Sequence, residues 1–198
     1  MTALPWPPDH LLTLEEFAAL PEDNAHRYEL QEGILIVTPS ALSLHQRVQY
    51  NLRNQIHDQL PLEWEPLSDF EVVTRHRSPS SVRVPDIVVM PTEEVGDNVP
   101  RVDGTDVRLA VEIISPGSHL TDTVTKPVEY ASIGIPHYWV IDLEPPISLT
   151  AYHLAGEFGY QEAPAVTGVF TTSEPFPLTI DLPALTDRRG RTERTVEQ

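Results

Sequence analysis

Apolar residues in this chain fall into short runs of strand length, set apart by polar stretches rich in proline and glycine. Two runs stand out: Val84-Pro85-Asp86-Ile87-Val88-Val89-Met90 and Leu109-Ala110-Val111-Glu112-Ile113-Ile114-Ser115. Both are β-branched and aliphatic, and each carries one carboxylate where an apolar residue is expected. Period two puts Ala110, Glu112 and Ile114 on one face of their strand and Val111 and Ile113 on the other. Pro85 lacks an amide hydrogen and suits the first position of a strand, which sets Asp86 near the strand end.

The remaining pattern predicts the elements around these runs. Thr13 can cap a short helix, with Glu16 completing a capping box, Leu12 and Phe17 forming a hydrophobic staple, and Pro21 ending it. Residues 27–30 and 34–37 flank Gly33 as a hairpin. Leu44, Val48, Leu52, Ile56 and Leu60 recur every four residues, predicting a helix over 42–60 with His45, Gln49, Arg53 and His57 beside its stripe. Residues 70–73 and 82–90 read as consecutive strands, and the polar stretch 92–106 as a loop. A helix is expected over 121–133. Pro127 is excluded from its interior, so the regular part begins near Thr125, with Lys126 in the first turn, and stops at Gly134. Residues 137–142 form a strand, 149–154 and 159–161 a hairpin around Gly156, and 178–180 a short strand. Residues 1–186 read as one domain, and 187–198, with four arginines, as a flexible tail.

The 198 residues suffice for a sizeable core, and the 20 prolines imply many loops. With no cysteine, disulfides and thiolate metal sites are excluded and a reducing cytoplasm is the natural setting. No apolar run approaches the roughly 20 residues needed to cross a bilayer, so no membrane partner is expected. The first residues do not resemble a signal peptide. A net charge of −17 opposes non-specific attraction to nucleic acid, because phosphate contacts need Lys and Arg.

A carboxylate inside a buried strand is costly unless something pairs with it or binds it. Neighbouring strands lie about 4.8 Å apart. Asp86 and Glu112 on adjacent strands can therefore share a Mg²⁺ ion, whose oxygen ligands sit at about 2.1 Å. The alternative is that each carboxylate faces solvent or meets a structural Arg or Lys. Lys126 at a helix start does not serve the helix dipole, which favours anions there, so it is either solvated or placed for another purpose. Tyr130, Tyr138 and Trp139 read as core residues, since stacking on bases needs exposed rings in a basic groove.

The order helix, strand, strand with Pro85-Asp86, strand with Glu112, helix, strand resembles the PD-(D/E)XK, or restriction-endonuclease-like, superfamily. Within it, the finer resemblance is to the Uma-two family. The features that carry it are Tyr28-Glu29-Leu30 with Gly33, His45, Pro85-Asp86, Glu112 with Ser115-Pro116, Asp122, Lys126, Tyr130, Gly134-Ile135-Pro136 and Tyr138-Trp139. The superfamily's lysine position, two residues after the acid, is Ile114 here, and Lys126 matches the Uma-two placement on the following helix. His137 stands where relatives carry an acid, and Pro127 beside the lysine is unusual.

The resemblance implies an α+β fold with an α/β core: a central mixed β-sheet flanked by helices, with an extra N-terminal helix and hairpin. It implies a metal-dependent DNA endonuclease using Mg²⁺, with Mn²⁺ as substitute. Asp86, Glu112 and the Ile113 carbonyl would hold the metal. Lys126 would orient water or neutralise developing charge, and Glu29 and His45 would support them as a partner or further ligand. Asp122 would position Lys126 or cap its helix. A homodimer would present two sites to two strands, and Arg47, Arg53, Arg75, Arg77 and Arg83 would line a local basic cleft. Two rivals stand beside this reading: a catalytically inactive nuclease-fold protein acting as a dimeric interaction or regulatory module, and a hydrolase of small phosphorylated molecules.

Overall fold

A computed structural model describes residues 8–21, 26–96 and 98–187. Of the tail expected over 187–198, everything beyond Asp187 lies outside the described residues.

The N-terminal helix α1 (Leu14–Ala18) starts as its sequence predicts. The Glu16 amide donates to Thr13 Oγ1 at 3.2 Å, and the Thr13 amide donates to Glu16 Oε2 at 2.9 Å. Leu12 and Phe17 are buried together with Leu30, Val73 and Val82. Strands β1 (His26–Gln31) and β2 (Ile34–Pro39) form the expected hairpin, turning through Glu32 and Gly33 at positive φ (47° and 79°). Gly33 also ties the hairpin to its surroundings, accepting from the Leu12 amide at 2.7 Å and donating to the Ser80 carbonyl at 2.8 Å.

Helix α2 (Ser43–His57) buries Val48, Leu52 and Ile56 of its stripe and ends three residues before the pattern does. Strands β3 (Trp64–Ser68), β4 (Glu71–Arg75), β5 (Ser81–Arg83) and β6 (Ile87–Pro91) follow. Then come a short helix α3 (Thr92–Val95), strand β7 (Arg101–Asp103) and strand β8 (Leu109–Ile113). A π-helical segment, Thr121–Thr125, runs into helix α4 (Lys126–Ile133), where Pro127 sits in the first turn and needs no hydrogen-bonded amide. Strand β9 (His137–Asp142) and the hairpin of β10 (Ser148–Leu154) and β11 (Tyr160–Glu162) match expectation. Strand β12 (Val166–Thr167) pairs with β10, and β13 (Val169–Thr172) pairs with β14 (Leu178–Asp181).

Two main sheets result. One has the order β2-β1-β5-β4-β7; the other is mixed, with the order β11-β10-β9-β8-β6-β3. In the mixed sheet β6 and β8 are antiparallel, while β8 and β9 are parallel. Ile87, Val89, Val111, Ile113, Trp139 and Ile141 pack on the α2 stripe. Val88, Met90, Ala110, Tyr138 and Val140 pack on the other side with Tyr130 of α4 and Ile135. The period-two reading of β8 therefore holds. Among the described residues no helix is long and apolar enough to cross a membrane.

Two expectations are corrected, and one strand was not foreseen. The run 82–90 is two strands in different sheets, because Pro85 cannot donate to a ladder and the Val84 amide turns instead to the Glu29 carboxylate, at 3.1 Å. The stretch 92–106 is not wholly loop, since Val102 is buried on β7, which runs parallel to β4. Strand β3 had no pattern to reveal it, with Glu65 and Pro66 at its centre, and as an edge strand it tolerates the proline.

At Gly33 an added Cβ would lie 2.8 Å from Leu11 Cβ, on a backbone at φ +79°. Gly33→Ala is expected to cost about 1–3 kcal/mol, read as a lower urea midpoint at unchanged slope.

Candidate active site

The register Ile87↔Val111 between β6 and β8, carried one residue further, sets Asp86 opposite Glu112. Asp86 is fixed from several sides. Its Oδ2 accepts the Ile113 amide at 2.7 Å and lies 3.1 Å from His45 Nε2, while Oδ1 accepts from Arg27 Nη1 at 3.0 Å. Its carbonyl accepts from Gln49 Nε2 at 2.8 Å. His45 and Gln49 are four apart on α2, so one helix face grips this residue. His45 Nε2 also lies 3.1 Å from the Ile113 carbonyl, while its buried Nδ1 has no hydrogen-bond partner. Burial alone would raise the Asp86 pKa, but the hydrogen bond and charge of His45, the Arg27 charge and the Ile113 amide outweigh it and hold the carboxyl below its ordinary range. Burial works against the charged form of His45, and the Asp86 carboxylate more than offsets it, raising the imidazole pKa.

Glu112 stands beside Lys126. Its Oε1 lies 2.7 Å from Lys126 Nζ and accepts the Tyr130 hydroxyl at 2.8 Å. The same ammonium lies 3.1 Å from Asp122 Oδ1 and 3.8 Å from Glu29 Oε1. Lys126 is only 6% exposed. Burial opposes its charge, yet these acids keep it protonated and raise its pKa. Glu112 is pushed up to about 8, first by burial and then by Asp86, Asp122 and Glu29, despite the attraction of Lys126. Glu29 is held low, since Lys126, Arg83 and the Val84 amide overcome its burial. Arg83 donates to Glu29 at 2.9 Å and grips Glu129 through Nε at 2.6 Å, so it is locked as a structural pair.

Asp86, Glu112, Lys126, Glu29, His45 and the Ile113 peptide thus form one contiguous cluster at the end of β8, and Asp122 does face Lys126. Tyr130 and Tyr138 are core rings with bonded hydroxyls, 5.3 Å apart between centroids; Tyr138 donates to the Asp122 carbonyl at 2.6 Å. Trp139 is buried against Phe170. Arg27 was not anticipated. The signal lay in β1, where period two puts Arg27 and Glu29 on one face and Tyr28 and Leu30 on the other. The expected basic cleft is corrected for four of its five arginines. Arg47 donates to the Thr186 carbonyl, Arg53 to the Pro66 carbonyl, Arg75 to Glu32, and Arg83 is buried in its pairs. His137 lies opposite Leu109, three residues before Glu112 along the neighbouring strand, and takes no part in the cluster.

Among the described residues no three His, Cys, Asp or Glu side chains gather as a metal-binding group. The oxygens on offer are the Asp86 and Glu112 carboxylates and the Ile113 carbonyl. Such a sparse, hard donor set fits Mg²⁺ or Mn²⁺, which tolerate one or two carboxylates with water completing the shell.

This mixed sheet, with two acids at its strand ends and a lysine at the start of the following helix, is a nuclease-like fold. A crystal structure of a putative nuclease belonging to DUF820, from Anabaena variabilis ATCC 29413, shares that fold with a TM-score of 0.65 and 19% identity, over 88% of this chain and 97% of that one. The model of the Uma2 family, described as putative restriction endonuclease, matches residues 14–185, and the chain belongs to this family. No curated protein matches it.

The native state keeps a proton on Glu112 that the unfolded chain gives up above its ordinary pKa of about 4.5. Without metal, stability should therefore fall as pH rises from about 6 to about 8, by at most about 1.4 kcal/mol per pH unit from this group. His45, whose raised pKa favours the native state at low pH, adds in the same direction. Urea unfolding across that range should show a shallower decline for Glu112→Gln than for wild type.

Proposed function

We propose that this protein is a divalent-metal-dependent DNA endonuclease, one catalytic domain over residues 1–186, acting in the cytoplasm as a homodimer. The observation that carries the reading is the approach of Lys126 Nζ to Glu112 Oε1 at 2.7 Å, across a strand junction where Asp86 is bonded to the very next peptide. Asp86, Glu112 and the Ile113 carbonyl would hold the metal. When bound, the metal supplies acidification of a water and stabilisation of charge on the scissile phosphate. His45 and the Ile113 amide fix the orientation of the Asp86 carboxylate. Lys126 supplies a compact, fixed cation that can orient the attacking water or meet charge developing on the phosphate. Glu29 and Asp122 set where that ammonium points and keep it protonated.

A second reading has an observation of its own. The chain carries a net charge of −17, and Arg47, Arg53, Arg75 and Arg83 are engaged with the protein itself. That favours a nuclease-fold interaction or regulatory module without catalysis, and it makes DNA the partner that most needs proof.

Nicking of supercoiled plasmid in Mg²⁺ or Mn²⁺, followed by gel, tests the choice. The endonuclease should nick, stop on chelation, and lose about 10²–10³-fold in rate in Glu112→Ala and in Lys126→Ala. Cleavage at wild-type rate in both variants removes the assignment, and no cleavage by the wild type favours the module.

A further inference from the structure

Asp86 binds its neighbours unevenly. Oδ2 is taken twice, by the Ile113 amide and by His45, both deep in the protein. Oδ1 has Arg27 Nη1 at 3.0 Å, so the oxygen left for a metal already carries a cation. Arg27 comes from the other sheet, and its side chain is 26% exposed, against 6% for His45. It also has a second acid to hold. The other terminal nitrogen of its guanidinium pairs with Asp69, whose side chain is 46% exposed and whose amide donates to the Asp86 carbonyl at 3.2 Å. Arginine's rigid fork suits this bridge between two carboxylates.

Resting on the metal reading above, we propose that Arg27 is an internal competitor for the divalent cation: it occupies Asp86 Oδ1 in the metal-free protein and yields that oxygen on loading, remaining anchored to Asp69. A guanidinium and a divalent ion cannot both stand against one carboxylate oxygen without strong repulsion. Burial of Asp86 without any cation would be costlier still, so the arginine serves the empty site and opposes the filled one. The sign of this effect distinguishes it from a structural role. If Arg27 only oriented Asp86, its loss would weaken metal binding; as a competitor, its loss strengthens it.

The test is calorimetric titration of Mn²⁺ into the full chain, comparing wild type, Arg27→Gln and Asp86→Asn. Arg27→Gln should bind Mn²⁺ about tenfold more tightly than wild type, about 1.4 kcal/mol, and Asp86→Asn should lose the site. Melting temperatures give an independent readout: Mn²⁺ should raise the Tm of Arg27→Gln by more than it raises that of wild type, even if the variant starts lower. Equal or weaker binding by Arg27→Gln, with the Asp86-dependent site intact, overturns the competitor alone. Absence of Asp86-dependent binding in wild type overturns the metal reading and the competitor together. Should Arg27→Gln fail to fold, Arg27→Met removes the cation and keeps the apolar stem; tighter Mn²⁺ binding than wild type supports the proposal, and equal or weaker binding overturns it.

Discussion

The ammonium of Lys126 meets carboxylates from three separate parts of the chain: Glu112 of β8, Glu29 of β1 and Asp122 of the π-helical segment. A lysine this deeply buried is tolerable because those acids surround it, while Glu29 is held also by Arg83 and the Val84 amide. The two main sheets meet through the same constraint, since Glu29 belongs to one and Glu112 to the other. The lysine's position therefore depends on both sheets being in register at their junction.

That junction is built by a break in one apolar run. Between β5 and β6 the chain changes sheets across Val84-Pro85-Asp86, and the groups that leave the ladder find side chains. Val84 donates to Glu29, and Asp86 accepts from Ile113 in place of a strand-to-strand bond. Pro85 makes the break compulsory by having no amide to contribute. The candidate catalytic acid thus sits where the backbone must be irregular, and its carboxylate helps to satisfy the backbone it interrupts.

Much of this was legible in the sequence because burial leaves a plain periodic mark. Ala110, Glu112 and Ile114 alternate with Val111 and Ile113, and Val48, Leu52 and Ile56 recur every four residues, so the strand faces and the helix stripe followed directly. The start of α4 was legible too, since Pro127 restricts where a helix can begin. What escaped was whatever tertiary pairing decides. Pro85 marks a break in the run 82–90, but only tertiary pairing decides that its two halves join different sheets, and Val102 is a lone apolar residue whose strand exists only because β4 lies beside it. Arg27 escaped because an arginine in a half-exposed strand ordinarily faces solvent, and only the fold brings Asp86 and Asp69 to it.

Charge is the remaining difficulty for a nuclease reading, and its local form differs from its global one. Around the candidate site Arg27, Arg83 and Lys126 face Glu29, Asp69, Asp86, Glu112, Asp122 and Glu129, so the cluster stays net negative even with His45 protonated. Such a cluster attracts divalent cations and repels phosphate. On the proposed reading this imposes an order: metal enters first, and only a loaded site offers a phosphodiester a favourable potential. Arg47, Arg53, Arg75 and Arg83 are bonded within the protein, so on this reading the approach of a phosphate would depend chiefly on the bound metal and on Lys126. A site of that kind would be slow to find DNA and strongly dependent on metal concentration, and it would discriminate against nucleic acid whenever the metal is absent.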